Sequence, residues 1–476
     1  MILDRLVTSL FNNFIHKTFI SLLGVFLTSF ALGQDLIIPE PALQSAIARS
    51  LGVSEKSLTK ELVASKLIRL QANDLGIREL TGLEHAQNLE SLVLRDNLID
   101  RLLPIQNLKN LKNLDLSGNR LTDVSDFASF QSSSLRLLNL SRNRLLGLSG
   151  LSGLSALAQL DVSNNSLIDL EGISDLKGLV NLYAQGNQLG RVESFADRNR
   201  NKEFDEGETF TDESGNGKRD TDPLVELSNL PKLSSLHLYD NRIASIENLS
   251  RLPVLHTLLL SGNLIESVGA LSSLNTLRIL ELGNNQIHSL DGLGPLSHLE
   301  RLNLSENQIC DLRVLRRFKN LTRLDLSSNL LTDLSDLSEL SNVHTLGLSR
   351  NMIRDPSPVL RLSRMRHLTL SYNFIPVEQD FFKDMFREAE ARGIYLNLRG
   401  QAEFRSAPQS LVRSLIGHPF SNQKLGAHLR QNGYLRLIDL ILDSSLNQDN
   451  VDHLCKVWED ALKFDKPIST LPFPGK

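Results

Sequence analysis

Cysteine is almost absent: Cys310 and Cys455 are the only two in 476 residues, far apart and without metal-ligand spacing. Neither a disulfide framework nor a cysteine-based zinc site follows from them, and both read as buried thiols. Aromatic residues make up 5% of the chain, with one tryptophan, so aliphatic side chains must supply nearly all of any core. An excess of one charge is also missing. The net charge is -4 and the pI is near 6.3, which offers no global field for nucleic acid or an anionic membrane surface. Catalytic signatures are lacking as well: HExxH, a P-loop, GxGxxG and GxSxG do not occur, and GLSGLSG from Gly147 is repeat sequence, not a nucleophile elbow. His237, His256, His344 and His367 fall at outward positions in separate units and read as surface histidines. These absences argue against an enzyme and against a nucleic-acid binder.

Long apolar runs are confined to one place. Lys17 precedes TFISLLGVFLTSFALG, which ends with the small residues Ala31 and Gly33 before Gln34. Residues 1–33 read as a secretory signal cleaved after Gly33; the alternative is an uncleaved anchor, since roughly 17 apolar residues suffice for a short span. No later segment matches its length and apolarity, so a mature chain without a membrane span, secreted or held at the cell surface, is expected.

What the chain has in abundance is a period. The phrase L-x-x-L-x-L-x-x-N-x-[IL]-x-x-[LIV] starts at Leu67, Leu89, Leu111, Leu135, Leu157, Leu179, Leu233, Leu255, Leu277, Leu299, Leu321, Val343 and Met365. The step is 22 residues throughout, apart from 24 after Leu111 and 54 after Leu179. Each unit is therefore one coil of a solenoid, unable to bury its apolar face alone and so stacked on its neighbours. Within x-L-x-L-x, alternate side chains of a short parallel strand point to opposite faces, leucines inward. In the coil from Leu299, the inward set is Leu302, Leu304, Ile309, Leu312, Leu315 and Phe318. The asparagine after each strand, from Asn97 to Asn373, turns the chain inward; a buried amide is tolerable only if hydrogen-bonded, which predicts a ladder to backbone groups of adjacent coils.

This phrase and spacing, over residues 67–375, resemble the short leucine-rich repeats of bacterial internalin-like proteins and of phosphatase-regulating subunits. The resemblance implies an α/β solenoid: a right-handed horseshoe with a parallel sheet on its concave side and 3₁₀ turns on its convex side. Thirteen coils at about 4.8 Å give an inner arc of roughly 60 Å, long enough for a protein partner. Residues 34–66 read as a helical N-terminal cap, with Leu43, Ile47 and Leu51 at helical spacing behind Pro41 and SEKSLTKELVASKL continuing as helix. Residues 376–399 read as a C-terminal cap containing the helix FFKDMFREAEARG, and 400–476 as a small helical region outside the repeat.

The 54-residue step holds 32 residues more than a coil. From Asp197 to Pro223 it carries nine acidic and five basic residues, net -4. Asp197, Asn199, Asn201, Asp205 and Glu208 stand at positions one, three, five, nine and twelve of an EF-hand-type loop, with the Glu203 carbonyl at seven. Such oxygens suit Ca²⁺. A second, weaker set comprises Asp212, Ser214, Asn216 and Asp220, with Pro223 where the bidentate glutamate belongs. Lys202 replaces the usual turn glycine, so the tandem resembles dockerin-like calcium repeats more than a paired sensor. The bland reading is an acidic, solvated loop.

Most outward strand positions are Ser, Asn, Asp, Gly or Arg. Beside the insertion, Tyr183, His237, Tyr239, Asp240 and Leu259 form an exception on successive strands, of the kind that anchors protein interfaces. A second candidate is the basic group Arg364, Arg366, His367 and Tyr372. The function these features point to is a monomeric, secreted or cell-surface scaffold that binds a protein on its concave face, with structural calcium. The alternatives are an intracellular phosphatase-type regulatory subunit, and an activity in residues 400–476, where Asp439, Asp443 and His453 could carry chemistry.

Overall fold

The computed structural model describes residues 36–130, 134–190, 196, 208–211 and 223–401. The expected leader (1–33), nearly all of the insertion and residues 402–476 lie outside these. Two units are distinguished, divided after Asp161.

The first unit opens with helix α1 (Pro41–Leu51). Proline at its first position presets the helical φ, and Gly52 ends it in the left-handed region at φ 69°. Leu43, Ala46, Ile47 and Ala48 are its buried residues, while Leu51 is only half-buried. The next stretch is not one continuous helix. A short 3₁₀ turn at Glu55–Ser57 precedes a new helix, α2 (Lys60–Lys66), because the Thr59 hydroxyl caps it by accepting from the Leu62 N–H at 3.2 Å. Five three-residue parallel strands follow in chain order: β1 (Arg69–Gln71), β2 (Ser91–Val93), β3 (Asn113–Asp115), β4 (Leu137–Asn139) and β5 (Gln159–Asp161).

The second unit continues the pattern with β6 (Asn181–Tyr183), β7 (Ser235–His237), β8 (Thr257–Leu259), β9 (Ile279–Glu281), β10 (Arg301–Asn303), β11 (Arg323–Asp325), β12 (Thr345–Gly347), β13 (His367–Thr369) and β14 (Tyr395–Asn397). Neighbours are parallel and the central leucines stay in register. Turns of 3₁₀ helix, such as Arg313–Arg317, return the chain on the far side of the core. The six inward residues of the coil from Leu299 are all buried, each contributing about 1.5–3 kcal/mol before ordering entropy is subtracted.

The asparagine ladder is present in both units. Asn307 Nδ2 donates to the carbonyls of Leu304 and Ser305 in its own coil (3.1 and 3.0 Å) and of Leu282 in the preceding one (2.9 Å). Its Oδ1 accepts from the Ile287 N–H of that preceding coil at 3.0 Å. Asn329 then reaches back to Leu304 and Ile309 in the same way. Within each unit the ladder is directional, a rung binding the coil before it. That explains its ends. The first coil carries Leu75 at the asparagine position, 37% exposed, since no earlier coil needs holding. At the other end, Gln401 substitutes: its Nε2 donates to the Leu370 and Leu398 carbonyls and its Oε1 accepts from Ile375.

Gln401 marks a coil beyond the thirteen repeat starts. Helix α4 (Asp380–Ala391) buries Phe382, Phe386 and Ala389 where other coils carry a 3₁₀ turn, and β14 then pairs with β13. The step from Leu368 to its partner Leu396 is thus 28 residues. Helix α3 (Ser357–Leu360) lengthens the turn of the coil before it.

In every coil the residue immediately before the ladder position is left-handed, with φ between 53° and 71° from Asp74 to Gly400. Only four of these are glycine; the others include Arg350, Glu306 and Tyr372. An L-residue there costs about 1–2 kcal/mol, which the ladder bonds and leucine burial must offset. Replacing Asn307 with alanine should therefore lower unfolding stability by at least about 1–3 kcal/mol, the cost of the stranded Ile287 N–H alone. Ser328→Gly should raise it by up to about 1 kcal/mol. Urea unfolding followed by circular dichroism reads both.

The open sheet face as the candidate binding site

Residues alternating with the buried leucines form the open face of the sheet. In the second unit its middle column runs Tyr183, His237, Leu259, Glu281, Asn303, Asp325, Gly347 and Thr369, fixed by strand register. Three of the five expected anchors are thus adjacent. The rings of Tyr183 and His237 meet edge to face at 4.6 Å, and Ser235 Oγ lies 3.1 Å from His237 Nε2. Tyr239 follows His237 two residues on, half-buried. Asp240 departs from the group: it is the exposed left-handed residue of its coil, and a Cβ on Gly262 would lie 2.4 Å from its Oδ1. Its carboxylate therefore lies over the next turn.

The sequence pattern alone missed Ile279 and Gln185. Ile279 is half-buried beside Thr257 and extends the apolar strip. Gln185 stands two residues beyond Tyr183, and its Oε1 is buried with no hydrogen-bond partner among the described residues, a deficit of about 1–3 kcal/mol. Strand register would have located both, since each follows from counting two residues along a known strand.

The second candidate patch divides. His367 packs near Tyr395, ring centroids 6.0 Å apart, at the upstream edge beside Arg366, whereas Tyr372 sits at the turn under the Arg350 guanidinium at 5.6 Å. Arg364 lies before the strand. Among the described residues, no group of three or more His, Cys, Asp and Glu could hold a metal ion. Cys310 is exposed at the turn after Ile309, not a buried residue as expected. Partial burial of its sulfur, with Asp311 beside it, still pushes the thiol pKa up.

Strand pairing and the ladder continue across the insertion. Despite the 54-residue step, β6 and β7 pair directly, and Asn241 Nδ2 donates to Ala184 O at 3.1 Å while Leu189 N donates to its Oδ1 at 3.1 Å. The chain leaves after Gly190, whose backbone passes so near Arg242 O that a Cβ would lie 2.6 Å from it, and it rejoins the coil at Pro223. Of the proposed calcium ligands only Glu208 is described. The Ala196 N–H donates to Thr209 O at 2.8 Å, closing the base of the Asp197-to-Glu208 loop.

Half-burial, reinforced by the nearby Asp325, pushes the Glu281 pKa above its ordinary 4.5 against the opposing Asn303 hydrogen bond. The unfolded chain then ionises first, so stability falls as pH rises from 4.5 through the folded value. Glu281→Gln should accordingly raise the urea midpoint at neutral pH and leave it unchanged well below 4.5.

The family described as Leucine rich repeat matches residues 109–167, and that described as Leucine Rich repeats (2 copies) matches 87–129. No curated protein matches the sequence significantly. Among solved structures, an internalin (inlF) from Listeria monocytogenes is similar at 26% identity, covering 76% of this chain and 95% of its own, with a TM-score of 0.64. The functional domain of InlJ from Listeria monocytogenes, which includes a cysteine ladder, is similar in fold at 20% identity, over 77% of this chain and 70% of its own, with a TM-score of 0.57. Repeat phrase, stacked parallel strands and these likenesses agree: the chain is a leucine-rich-repeat protein with an internalin-like solenoid, a scaffold of the protein-binding kind.

Proposed function

We propose that the protein works outside the cytoplasm, secreted or at the cell surface, and binds a protein partner on the open, concave-side face of its second unit. The observation that carries this reading is the adjacency of Tyr183, His237 and Leu259, continued by Ile279, on a face otherwise lined by small and polar residues. Rigid aromatic side chains on packed strands lose little entropy on contact, which is why they dominate interface energetics. This role needs no catalytic group.

The extracytoplasmic setting is supported by the leader-like residues 1–33 and by the likeness to an internalin. No helix among the described residues is long and apolar enough to cross a membrane. Calcium in the insertion is part of the same proposal: the Ala196–Thr209 bond brings the ends of the twelve-position loop together, as a cage using both Asp197 and Glu208 requires. Its role there is to stiffen an excursion with few apolar residues.

Serine in place of both Tyr183 and Tyr239 should weaken binding of a partner recovered from the native extracellular milieu by at least about thirtyfold, the scale of a hot spot. Unchanged affinity would remove this face from consideration. Limited proteolysis of residues 197–223 should be slowed by calcium and restored by a chelator; equal cleavage in both conditions contradicts the structural calcium.

A further inference from the structure

We infer that the upstream edge of the same face docks an acidic segment of the protein partner, its carboxylates seated on Arg301 and Arg323. The inference rests on the reading of this face as a protein-binding surface and adds the chemistry of what binds there.

Arg301 and Arg323 are register partners on β10 and β11, and both are exposed. Neighbouring strands lie about 4.8 Å apart, and like charges directly opposite one another destabilise a sheet unless an anion lies between them. Among the described residues neither arginine makes an ion pair. On the turn side Arg316 pairs with Asp336 and Lys319 with Glu339, while the exposed Arg251 and Arg317 make no ion pair among the described residues. At the edge itself the one glutamate, Glu300, is taken by Arg278 at 2.6 Å.

The carboxylates of the middle column are turned to other uses. Asp325 accepts from the Ser327 N–H at 2.9 Å and leans toward Gly347 on β12, where a Cβ would lie 2.3 Å from its Oδ1. It thus leans away from Arg301. Glu281 accepts a hydrogen bond from Asn303 and feels the charge of Arg301 only as the weakest of the influences on it, without forming an ion pair. A positive field is left along the edge. His344 reports it: burial first, then the charges of Arg323, Arg366, His367 and Arg301, push its pKa down.

Guanidinium forks match carboxylates in planar, two-point contacts. Ile279 and Leu259 carry the same face on as an apolar strip, so the complementary partner presents carboxylates followed by an apolar side chain. A peptide does this; a sulfated glycan has no such apolar group to offer, and the net charge of -4 does not favour a nucleic acid.

The test is fluorescence anisotropy of the full chain with a fluorescein-labelled oligoglutamate peptide ending in leucine. Saturable binding is expected, weakened at least about tenfold by Arg301→Glu with Arg323→Glu, as the loss of two charge-assisted contacts requires. The pair Arg251→Glu with Arg317→Glu makes the same charge change on the turn side and should stay within about twofold, since distant exposed charges are screened. Circular dichroism confirms that each variant is folded. The inference is overturned if the peptide does not bind, if both pairs lose affinity alike, or if a heparin oligosaccharide binds this edge more tightly than the peptide. If the peptide fails while the tyrosine substitutions still abolish partner binding, the face reading stands and only the acidic chemistry is wrong.

Discussion

The asparagine amide that ties each coil to the one before it is the constraint on which the rest of this structure depends. A coil of 22 residues has too little apolar side chain to fold alone, and its strand is only three residues long. Leucine burial makes stacking favourable but is non-directional. The amide supplies direction: Asn307 cannot satisfy its donors and acceptor unless Leu282 and Ile287 sit where the preceding coil places them. Register therefore follows from hydrogen bonding, while cohesion follows from the leucines.

Two properties follow. Anything inserted outside the strand and the ladder segment leaves stacking intact, which is how the chain accommodates a 54-residue step between β6 and β7 with Asn241 still bound to Ala184 and Leu189. And because strand register is fixed, open-face residues far apart in sequence are set into columns whatever their side chains. Tyr183 and His237 are neighbours for that reason alone. The scaffold is thus free to vary its face, and here that face combines an aromatic and apolar strip with a basic edge.

Much of this was legible in the sequence because the responsible residues are chemically irreplaceable. Leucine at the inward positions and asparagine at the rung recur where nothing else fills the volume or joins two coils. The left-handed residue was not legible, since backbone geometry defines that position and its occupant ranges from Gly118 to Glu306 and Tyr372. The last coil was hidden by a helix in place of a 3₁₀ turn and by Gln401, one methylene longer than asparagine yet making the same bonds. Asp240 looked like part of the aromatic group by proximity, but its left-handed backbone turns it away. The opposition of Arg301 and Arg323 needed strand register, and Cys310 was misjudged because its position falls past the last inward residue of the strand-to-turn segment.

The most direct measurement is amide hydrogen exchange of the full chain. The N–H groups of Ile243, Ile265, Ile287, Ile309, Leu331 and Ile353 belong to no helix or strand, yet each donates to a ladder Oδ1 at 2.9–3.1 Å. They should exchange as slowly as the central strand amides. Exchange at the rate of the exposed turns would show that leucine packing alone sets the register, and would contradict the ladder as the organising constraint.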